Sequence, residues 1–200
     1  MAFINGKIRL IYFPKQGRAE HPRWILSYAQ ADWEDVRIGY DEWPNMKSTS
    51  MMMRKGQLPV MEWTSTMDGK VHLLSQSAAI VRALASNFNL LPKTPQGIIE
   101  ADEAFETMKD AALVSYVARY DEDLAKRDRA MQHLVNNVFP TTIAFLESKL
   151  QANGGKFIAG GENVGSSSEI FLMFILFSSS NFKFNSIHIA TLSLPVSASR

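Results

Sequence analysis

Lys7-Ile8-Arg9-Leu10-Ile11-Tyr12-Phe13 is the stretch that decides the fold, and Gly17-Arg18-Ala19-Glu20 follows it closely. The first segment is short, largely apolar and rich in strand-forming residues, which predicts a buried strand. A helix is predicted directly afterwards, over 18–30, because Pro22 is tolerated in a first helical turn. The strand therefore brings a phenol, that of Tyr12, to the mouth of a turn at one end of a sheet.

The rest of the first half continues this alternation of strands and helices. Three further strands are predicted where apolar and β-branched residues cluster, at Trp33–Ile38, Leu58–Trp63 and Val71–Leu74. The Gly-containing turn 67–70 predicts a hairpin between the last two strands. Residues 77–88 predict a helix, and residues 39–55 predict irregular structure. The order β-α-β followed by β-β-α predicts an α/β layer of thioredoxin type.

The second half has helical periodicity. One apolar stripe on a predicted long helix comprises Phe105, Met108, Ala112, Leu113, Val117, Tyr120 and Leu124. A second stripe comprises Phe139, Ile143, Leu146 and Leu150, and 153–155, Asn-Gly-Gly, provides a stop signal. We therefore expect an α/β domain over 5–88, a proline-containing linker over 89–96 and an all-α domain over 97–164.

The composition excludes several classes of function. The chain has 200 residues, of which 46% are apolar and 20% charged, and its net charge is +1. Such a balance allows a sizeable core and argues against a nucleic-acid binder. The chain contains no cysteine, so disulfides, cysteine catalysis and cysteine metal sites are excluded.

Metal, targeting and membrane signals are weak. The four histidines lack the spacing of metal ligands, so we expect no structural metal. They are His21, His72, His133 and His188. Residues 1–7 lack an apolar targeting core, which makes the cytoplasm the expected location. The apolar stretch 170–177 is far shorter than the roughly 20 residues that span a bilayer, so no membrane partner is expected.

Tyr12 is the candidate catalytic group. A phenol has an ordinary pKa of about 10, so at neutral pH it donates a hydrogen bond rather than acting as a base. Because the chain has no thiol, the phenol is suited to hold a thiolate that belongs to a substrate. Arg18, at the start of the next helix, is the candidate cation beside that thiolate. The alternative is a tyrosine that only caps a buried strand.

Two further motifs could hold a peptide at the same edge of the sheet. Leu58-Pro59 precedes a strand, and an X-Pro bond in such a turn can be cis and can leave backbone groups for an added extended peptide. The alternative is an ordinary trans proline. Gln76-Ser77 opens a helix, whose N-terminal N–H groups and dipole favour a carboxylate. The alternative is that Ser77 is simply the N-cap.

These motifs resemble the glutathione transferases, most closely the sigma class. The resemblance covers roughly residues 7–164 and is most specific over 12–20, 43–47 and 56–77. It implies a thioredoxin-like domain that binds glutathione, followed by an all-α domain. It also implies that Tyr12 stabilises the glutathione thiolate, and that Leu58 beside a cis Pro59 binds the cysteinyl part.

The resemblance assigns the rest of the glutathione site residue by residue. Gln76 and Ser77 would hold the γ-glutamyl carboxylate, whereas Trp43 and Lys47 would hold the glycyl carboxylate. The alternative for Trp43 and Lys47 is an ordinary surface anchor and a solvated lysine. Gln57 occupies a place where family members carry Lys or Gln. The pocket for the electrophile would draw on Phe13, the segment after Tyr12 and the helix 108–120. Asp110 would reach the bound peptide across a homodimer, and the alternative is a solvated helix acid.

Three functions follow from the resemblance. The first is conjugation of glutathione, as co-substrate, to electrophilic small molecules. The second is a non-catalytic binding protein, similar to lens crystallins of this fold. The third is a glutathione-dependent isomerase such as a prostaglandin D synthase. In those isomerases an acid associated with a divalent cation stands where this chain has Lys109, which argues against that metal effect.

The resemblance stops after residue 164. The family continues with Thr/Ser-x-Ala-Asp, but this chain has Gly165-Ser166-Ser167-Ser168-Glu169 and then a Ser-rich, apolar tail to 200. Residues 165–200 are therefore expected to be a non-family tail from a splice variant, intron read-through or gene-model artefact. We expect poor solubility or weak activity unless residues 170–177 replace the missing core helix.

Overall fold

The sheet forms the centre of the first half of the chain. The computed structural model describes residues 3–49, 56–155 and 157–159. Within these ranges the strands are β1 (Ile8–Tyr12), β2 (Trp33–Arg37), β3 (Val60–Thr64) and β4 (Val71–Ser75). Their order is β2-β1-β3-β4; β1 runs parallel to β2, whereas β3 is antiparallel to both β1 and β4. This arrangement confirms the predicted thioredoxin-type layer.

The helices cover the sheet and then form the second half. A short 3-10 turn, Gly17–Ala19, leads into α1 (Glu20–Tyr28), which connects the parallel strands β1 and β2. The remaining helices in the described ranges are α2 (Trp43–Thr49), α3 (Ser77–Asn87), α4 (Pro95–Tyr120), α5 (Leu124–His133) and α6 (Phe139–Ala152). One wide π-helical turn, Leu134–Val138, joins α5 to α6.

The central strand is buried as its composition predicts. In β1 the side chains of Ile8, Leu10, Ile11 and Tyr12 are each at most 5% exposed. They pack with apolar residues of α1 and α3 and with Phe105 and Met108 of α4 in one continuous core. Because the interior is close-packed, the end of β1 is a fixed platform for Tyr12.

The prediction of irregular structure over 39–55 is wrong for residues 43–49, which form α2. Pro44 falls in the first turn, where the missing N–H costs nothing. The backbone N–H of Trp43 donates to the Gly39 carbonyl at 3.2 Å, and that of Met46 donates to the Glu42 carbonyl at 3.2 Å. The methionine run 51–53 lies outside the described residues.

The long apolar stripe predicted for one helix is split between two. The helix α4 ends at Tyr120, and Asp123 caps α5 by accepting a hydrogen bond from the Lys126 N–H at 3.1 Å. Phe105 and Met108 are buried, but Leu113, Tyr120 and Leu124 are 50%, 56% and 67% exposed. Successive helical residues lie about 100° apart around the axis, so the stripe that begins at Leu113 faces away from the one that ends at Ala112.

The ends of the other helices largely follow the sequence signals. Thr94 caps α4 by accepting from the Gly97 N–H at 3.1 Å, so the helix begins at Pro95, two residues before the predicted start of the all-α domain. The helix α6 ends where Gly154 and Gly155 adopt φ values of 75° and 77°, as the Asn-Gly-Gly signal predicts.

Parts of the predicted organisation are not tested. The tail 165–200, with its apolar stretch 170–177, lies outside the described residues, and the domain boundaries stay predictions. In the ranges that the structure covers, none of the helices combines the length and apolar character needed to cross a membrane.

Candidate functional site

Tyr12 lies at the carboxyl end of β1, and its hydroxyl is held by the turn that follows. The Arg18 backbone N–H donates to the Tyr12 oxygen at 3.2 Å. Gly17 adopts φ of 55°, and a Cβ placed there would lie 2.8 Å from that oxygen. A phenolic oxygen can accept one hydrogen bond and still donate its own proton. The turn therefore orients the Tyr12 O–H and leaves its proton for another acceptor.

The proline turn reaches the same edge of the sheet. The Leu58–Pro59 peptide bond is cis, as predicted. Val60, the first residue of β3, pairs with Ile11 on one side and with Ser75 on the other. Continuing this register by one residue places Pro59 between Tyr12 and Gln76. The two sequence motifs and the phenol thus meet at one end of the sheet.

Gln76 has an unusual backbone at the start of α3. Its φ is 77°, a left-handed value that is uncommon for a residue with a side chain. Gln76, rather than Ser77, occupies the N-cap position, so the alternative in which Ser77 is the N-cap is wrong. The Gln76 side chain forms no cap; its amide nitrogen points to the Gln57 side-chain oxygen at 3.5 Å. Non-glycine residues in such conformations cluster at ligand-binding sites.

An aromatic wall joins Tyr12 to α2. The Phe13 ring lies 5.4 Å from the Tyr12 ring, edge to face, and 5.6 Å from the Trp43 ring. It also stacks on Tyr40 with the ring centroids 4.9 Å apart. Phe13 therefore connects the candidate catalytic tyrosine to the helix that carries the predicted glycyl-carboxylate residues.

Lys47 lies beside the turn that precedes Pro59. Gly56 has φ of 58°, and a Cβ there would lie 3.0 Å from the Lys47 Cε. The exposed side chain of Gln57 follows next in sequence. Lys47 and Gln57 thus lie beside the same turn, the one that leads into the cis Pro59.

Two predicted residues are placed differently from the others. The Arg18 guanidinium lies over the Tyr116 ring, 5.7 Å from its centroid, so it is the backbone N–H of Arg18 that meets Tyr12. Asp110 is exposed on α4 and makes none of the contacts that join the other site residues in the described ranges. The roles expected for both side chains stay predictions.

Sequence reasoning missed Arg23, whose buried guanidinium contacts the backbone of the turn between β1 and α1. Its side chain is 7% exposed, and its guanidinium lies 5.9 Å from the Tyr12 ring centroid. It donates to the Lys15 carbonyl at 2.8 Å and pairs with Glu20 and Asp35, each at 3.0 Å. The spacing of three residues between Glu20 and Arg23 indicates an ion pair on one face of a helix. It does not indicate burial, because that depends on the contact between Arg23 and Asp35 of β2.

A second group of side chains faces the turn from α4, within the helical range 108–120 that was expected to line the electrophile pocket. Tyr116 and Tyr120 lie 4.9 Å apart and, with Val117, Asp121 and Glu122, line an open cavity of 460 Å³. The stripe includes Tyr120 but not Tyr116, because sequence periodicity does not reveal what faces a residue on another element.

The described residues contain no cluster of three or more carboxylate or imidazole side chains suited to a metal ion. Lys109, at the position singled out by the sequence, forms an ion pair with Glu106.

Several known proteins are similar to this chain in sequence. No protein-family model matches the sequence. The chain is 33% identical over 158 residues to glutathione S-transferase S1 of Drosophila melanogaster, covering 78% of this chain and 59% of that protein. It is 32% identical over 153 residues to a glutathione S-transferase of Anopheles gambiae, covering 76% and 70%. It is also 32% identical over 142 residues to hematopoietic prostaglandin D synthase of Mus musculus, covering 71% and 66%.

Solved structures of similarly named proteins superpose on this chain. A sigma-class glutathione transferase of Fasciola hepatica superposes with a TM-score of 0.74 at 26% identity, over 86% of this chain and 78% of the other. Prostaglandin synthase D of Nilaparvata lugens superposes with a TM-score of 0.71 at 29% identity, over 86% and 83%. The chain shares its fold with these structures and has a cis proline turn beside Tyr12. Its sequence identity to the Anopheles protein is above 30% over more than two thirds of that protein. This chain therefore belongs to the glutathione S-transferase family.

Proposed function

We propose that the protein is a glutathione transferase that adds the thiolate of glutathione to electrophilic small molecules. The observation that carries the proposal is the hydrogen bond from the Arg18 N–H to the Tyr12 oxygen, at 3.2 Å. With that bond in place, the phenol proton can be donated to the sulfur of a bound thiol. A thiol titrates near pH 8.5, and each unit by which its pKa falls corresponds to about 1.4 kcal/mol in favour of the anion.

The tripeptide would lie along the crevice between α2 and α3. The start of α3, at Gln76 and Ser77, is suited to the γ-glutamyl carboxylate, because helix N-termini carry partial positive charge. Leu58, before the cis Pro59, would pair with the cysteinyl backbone. Trp43 and Lys47 would hold the glycyl carboxylate at the other end, and Gln57 would donate from the turn between them.

The active assembly in this proposal is a homodimer. Asp110 is exposed on α4 and is free to approach the glutathione bound by a partner subunit. The proposed compartment is the cytoplasm, where thiols are kept reduced and glutathione is available as a nucleophile. The proposed reaction needs no metal, since the phenol and the crevice supply the polar groups.

The substitution Tyr12→Phe tests the proposal. It removes the phenolic proton but keeps the ring, so turnover should fall about 10- to 100-fold, as expected for one hydrogen bond to a charged group. Affinity for glutathione should be largely kept, because the contacts to its carboxylates remain. A chromogenic conjugation assay measures the first quantity, and retention on a glutathione column checks the second.

The matched control is Tyr28→Phe, which removes the same hydroxyl at the far end of α1 and should leave turnover near that of the parent. Equal turnover in Tyr12→Phe and the parent would disprove the proposed role of the phenol. Retention of the parent protein on the column without any turnover would favour the non-catalytic binding protein instead.

A glutathione-dependent isomerase is the second candidate, and the similarity to two prostaglandin D synthases favours it. The two reactions differ in what happens to glutathione. A transferase consumes one glutathione per product, whereas an isomerase regenerates it. Measuring free glutathione during turnover therefore separates the two activities.

A further inference from the structure

Lys15 projects from the turn after β1 into a cage of aromatic rings. Its ammonium nitrogen lies 5.7 Å from the Phe13 ring centroid, 5.7 Å from that of Tyr40 and 5.3 Å from that of Tyr120. Two of these rings belong to the wall beside Tyr12, and the third belongs to α4. The ammonium group therefore sits where the two halves of the chain face each other.

Among the described residues, the partly buried Lys15 has no carboxylate within ion-pair distance. Neither Lys15 nor the neighbouring Arg18 forms an ion pair with a carboxylate in the part of the chain that the structure describes. Asp121, on the cavity wall, is paired with Lys126 at 2.6 Å, which leaves Glu122 as the exposed acid of that wall. Aromatic faces attract a cation but offer no strong acceptor for its N–H groups. The three donors of the ammonium are thus available to an anion.

The backbone of Lys15 is fixed independently of its side chain. Its N–H donates to the Phe13 carbonyl at 2.7 Å, and its carbonyl accepts from the buried Arg23 at 2.8 Å. The ammonium is therefore presented by a rigid turn. A change at the end of the side chain should leave the turn, and with it the Tyr12 hydroxyl, in place.

We propose that Lys15 determines specificity by selecting electrophiles that carry a carboxylate. This inference rests on the proposed function, and it names the substrate class of that site. The Phe13 ring centroid lies 5.4 Å from that of Tyr12 and 5.7 Å from the Lys15 ammonium nitrogen. An acceptor whose reactive carbon and carboxylate lie at opposite ends of one aromatic ring matches this spacing. The ring itself would pack against Tyr116 and Tyr120.

A suitable acceptor is para-chloro-meta-nitrobenzoate. The glutathione sulfur forms a bond to the carbon that bears chlorine, and the C–Cl bond breaks with its electron pair leaving on chloride. The thiol proton is released to solvent, so no oxidant or further reactant is needed. The methyl ester of the same acceptor undergoes the same substitution but has no negative charge, and its different intrinsic reactivity is removed by dividing by the uncatalysed rate.

The test compares kcat/KM for the acid and the ester, each divided by its uncatalysed rate with glutathione. The ratio of acid to ester should fall about tenfold in Lys15→Met, which corresponds to about 1.4 kcal/mol. Lys15→Arg, which keeps the charge, should retain most of the parent ratio. Lys70→Met, on the hairpin turn remote from the cage, is the matched control and should leave the ratio unchanged.

A binding measurement decides the inference separately from turnover. The two conjugates, with and without the carboxylate, are titrated by quenching of tryptophan fluorescence. The parent should bind the acidic conjugate about tenfold more tightly relative to the ester than Lys15→Met does. An absence of turnover with either acceptor would contradict the proposed function, but this titration would still report on Lys15.

Two outcomes would overturn the inference. One is an unchanged ratio of acid to ester in Lys15→Met, in kinetics or in binding. The other is a rise in KM for glutathione by the same factor with both acceptors, since Lys15 would then serve the tripeptide rather than the electrophile.

Discussion

At the scale of single residues, Gly17 carries two constraints at once. Its φ of 55° disfavours any side chain, and a Cβ would also lie 2.8 Å from the Tyr12 oxygen. We expect Gly17→Ala to lower the free energy of unfolding by about 1–3 kcal/mol. Turnover should fall as well, because the phenol must move away from the Arg18 N–H. Urea-induced unfolding and the conjugation assay measure the two effects.

Gly154→Ala separates the cost of the positive φ from the cost of the close approach to the phenol. Gly154 has a similar φ, 75°, but a Cβ there meets nothing within 4 Å. This variant should therefore show the backbone cost alone, about 1 kcal/mol, with turnover unchanged. If Gly17→Ala matched it in both stability and turnover, the close approach of Gly17 to the phenol would have no consequence.

The candidate site could be predicted from sequence as far as its residues lie in local motifs. Tyr12 at a strand end, Pro59 before a strand and Gln76 at a helix start each carry a recognisable local signal. Lys15 carries none, and Arg23 carries only its position three residues after Glu20, because the roles of these side chains depend on rings and acids brought together by tertiary packing. The left-handed φ of Gln76 could not be predicted either, since glutamine rarely adopts that conformation.

At the scale of elements, one buried amide links the N-terminal segment to α3. The Asn87 side chain accepts from the Ile4 N–H at 2.8 Å and donates to the Ile4 carbonyl at 3.0 Å. In Asn87→Ala both backbone groups would lose their buried partner. Since each such bond contributes about 1 kcal/mol, we expect a loss of about 2–3 kcal/mol in urea-induced unfolding.

Hydrogen exchange should also become faster at residues 3–7 in Asn87→Ala. The control is Ser86→Ala, an exposed change on the same helix, which should stay within about 0.5 kcal/mol of the parent. A variant at Asn87 that is as stable as the parent would mean that solvent replaces both bonds.

The elements were predictable where local pattern and burial agree. In β1 the apolar positions that define the pattern are buried, and in α6 Leu146 is buried while Phe139 packs against the core. The strand and the end of α6 therefore follow from sequence. The helix α2 has seven residues and begins at Trp43-Pro44, which gives too few turns for a periodic signal. In α4 the pattern misled, because Leu113 and Tyr120 are apolar without being buried.

At the scale of the whole molecule, the two halves meet through α1 and α4. The His21 ring of α1 lies edge to face with Phe105 of α4, at 6.4 Å, and with Trp24, at 6.1 Å. A guanidinium–carboxylate link adds to this contact, since Arg82 of α3 pairs with Asp102 of α4 at 2.6 Å. The face of α4 that carries Tyr116 and Tyr120 is thereby held opposite the Lys15 turn.

This contact makes the stability of the molecule depend on pH. Burial lowers the pKa of His21 from 6.5 to about 3, so the folded protein keeps the ring neutral. Above pH 6.5 both the folded and the unfolded chain leave it uncharged, and the full stability is present. Between pH 6.5 and about 3 only the unfolded chain binds the proton, and stability is lost as the pH falls. The slope approaches about 1.4 kcal/mol per pH unit, or roughly 2 kcal/mol by pH 5.

The substitution His21→Phe should remove this part of the acid slope while keeping a ring against Trp24 and Phe105. Urea-induced unfolding at about pH 7.5 and about pH 5 gives the slope for the parent and the variant. Carboxylates contribute equally to both proteins, so the difference between the two slopes isolates His21. His133→Gln, at an exposed position on α5, should keep the parent slope. Parallel slopes for the parent and His21→Phe would mean that the ring takes up a proton without opening the contact between α1 and α4, and the buried histidine would then have no part in acid unfolding.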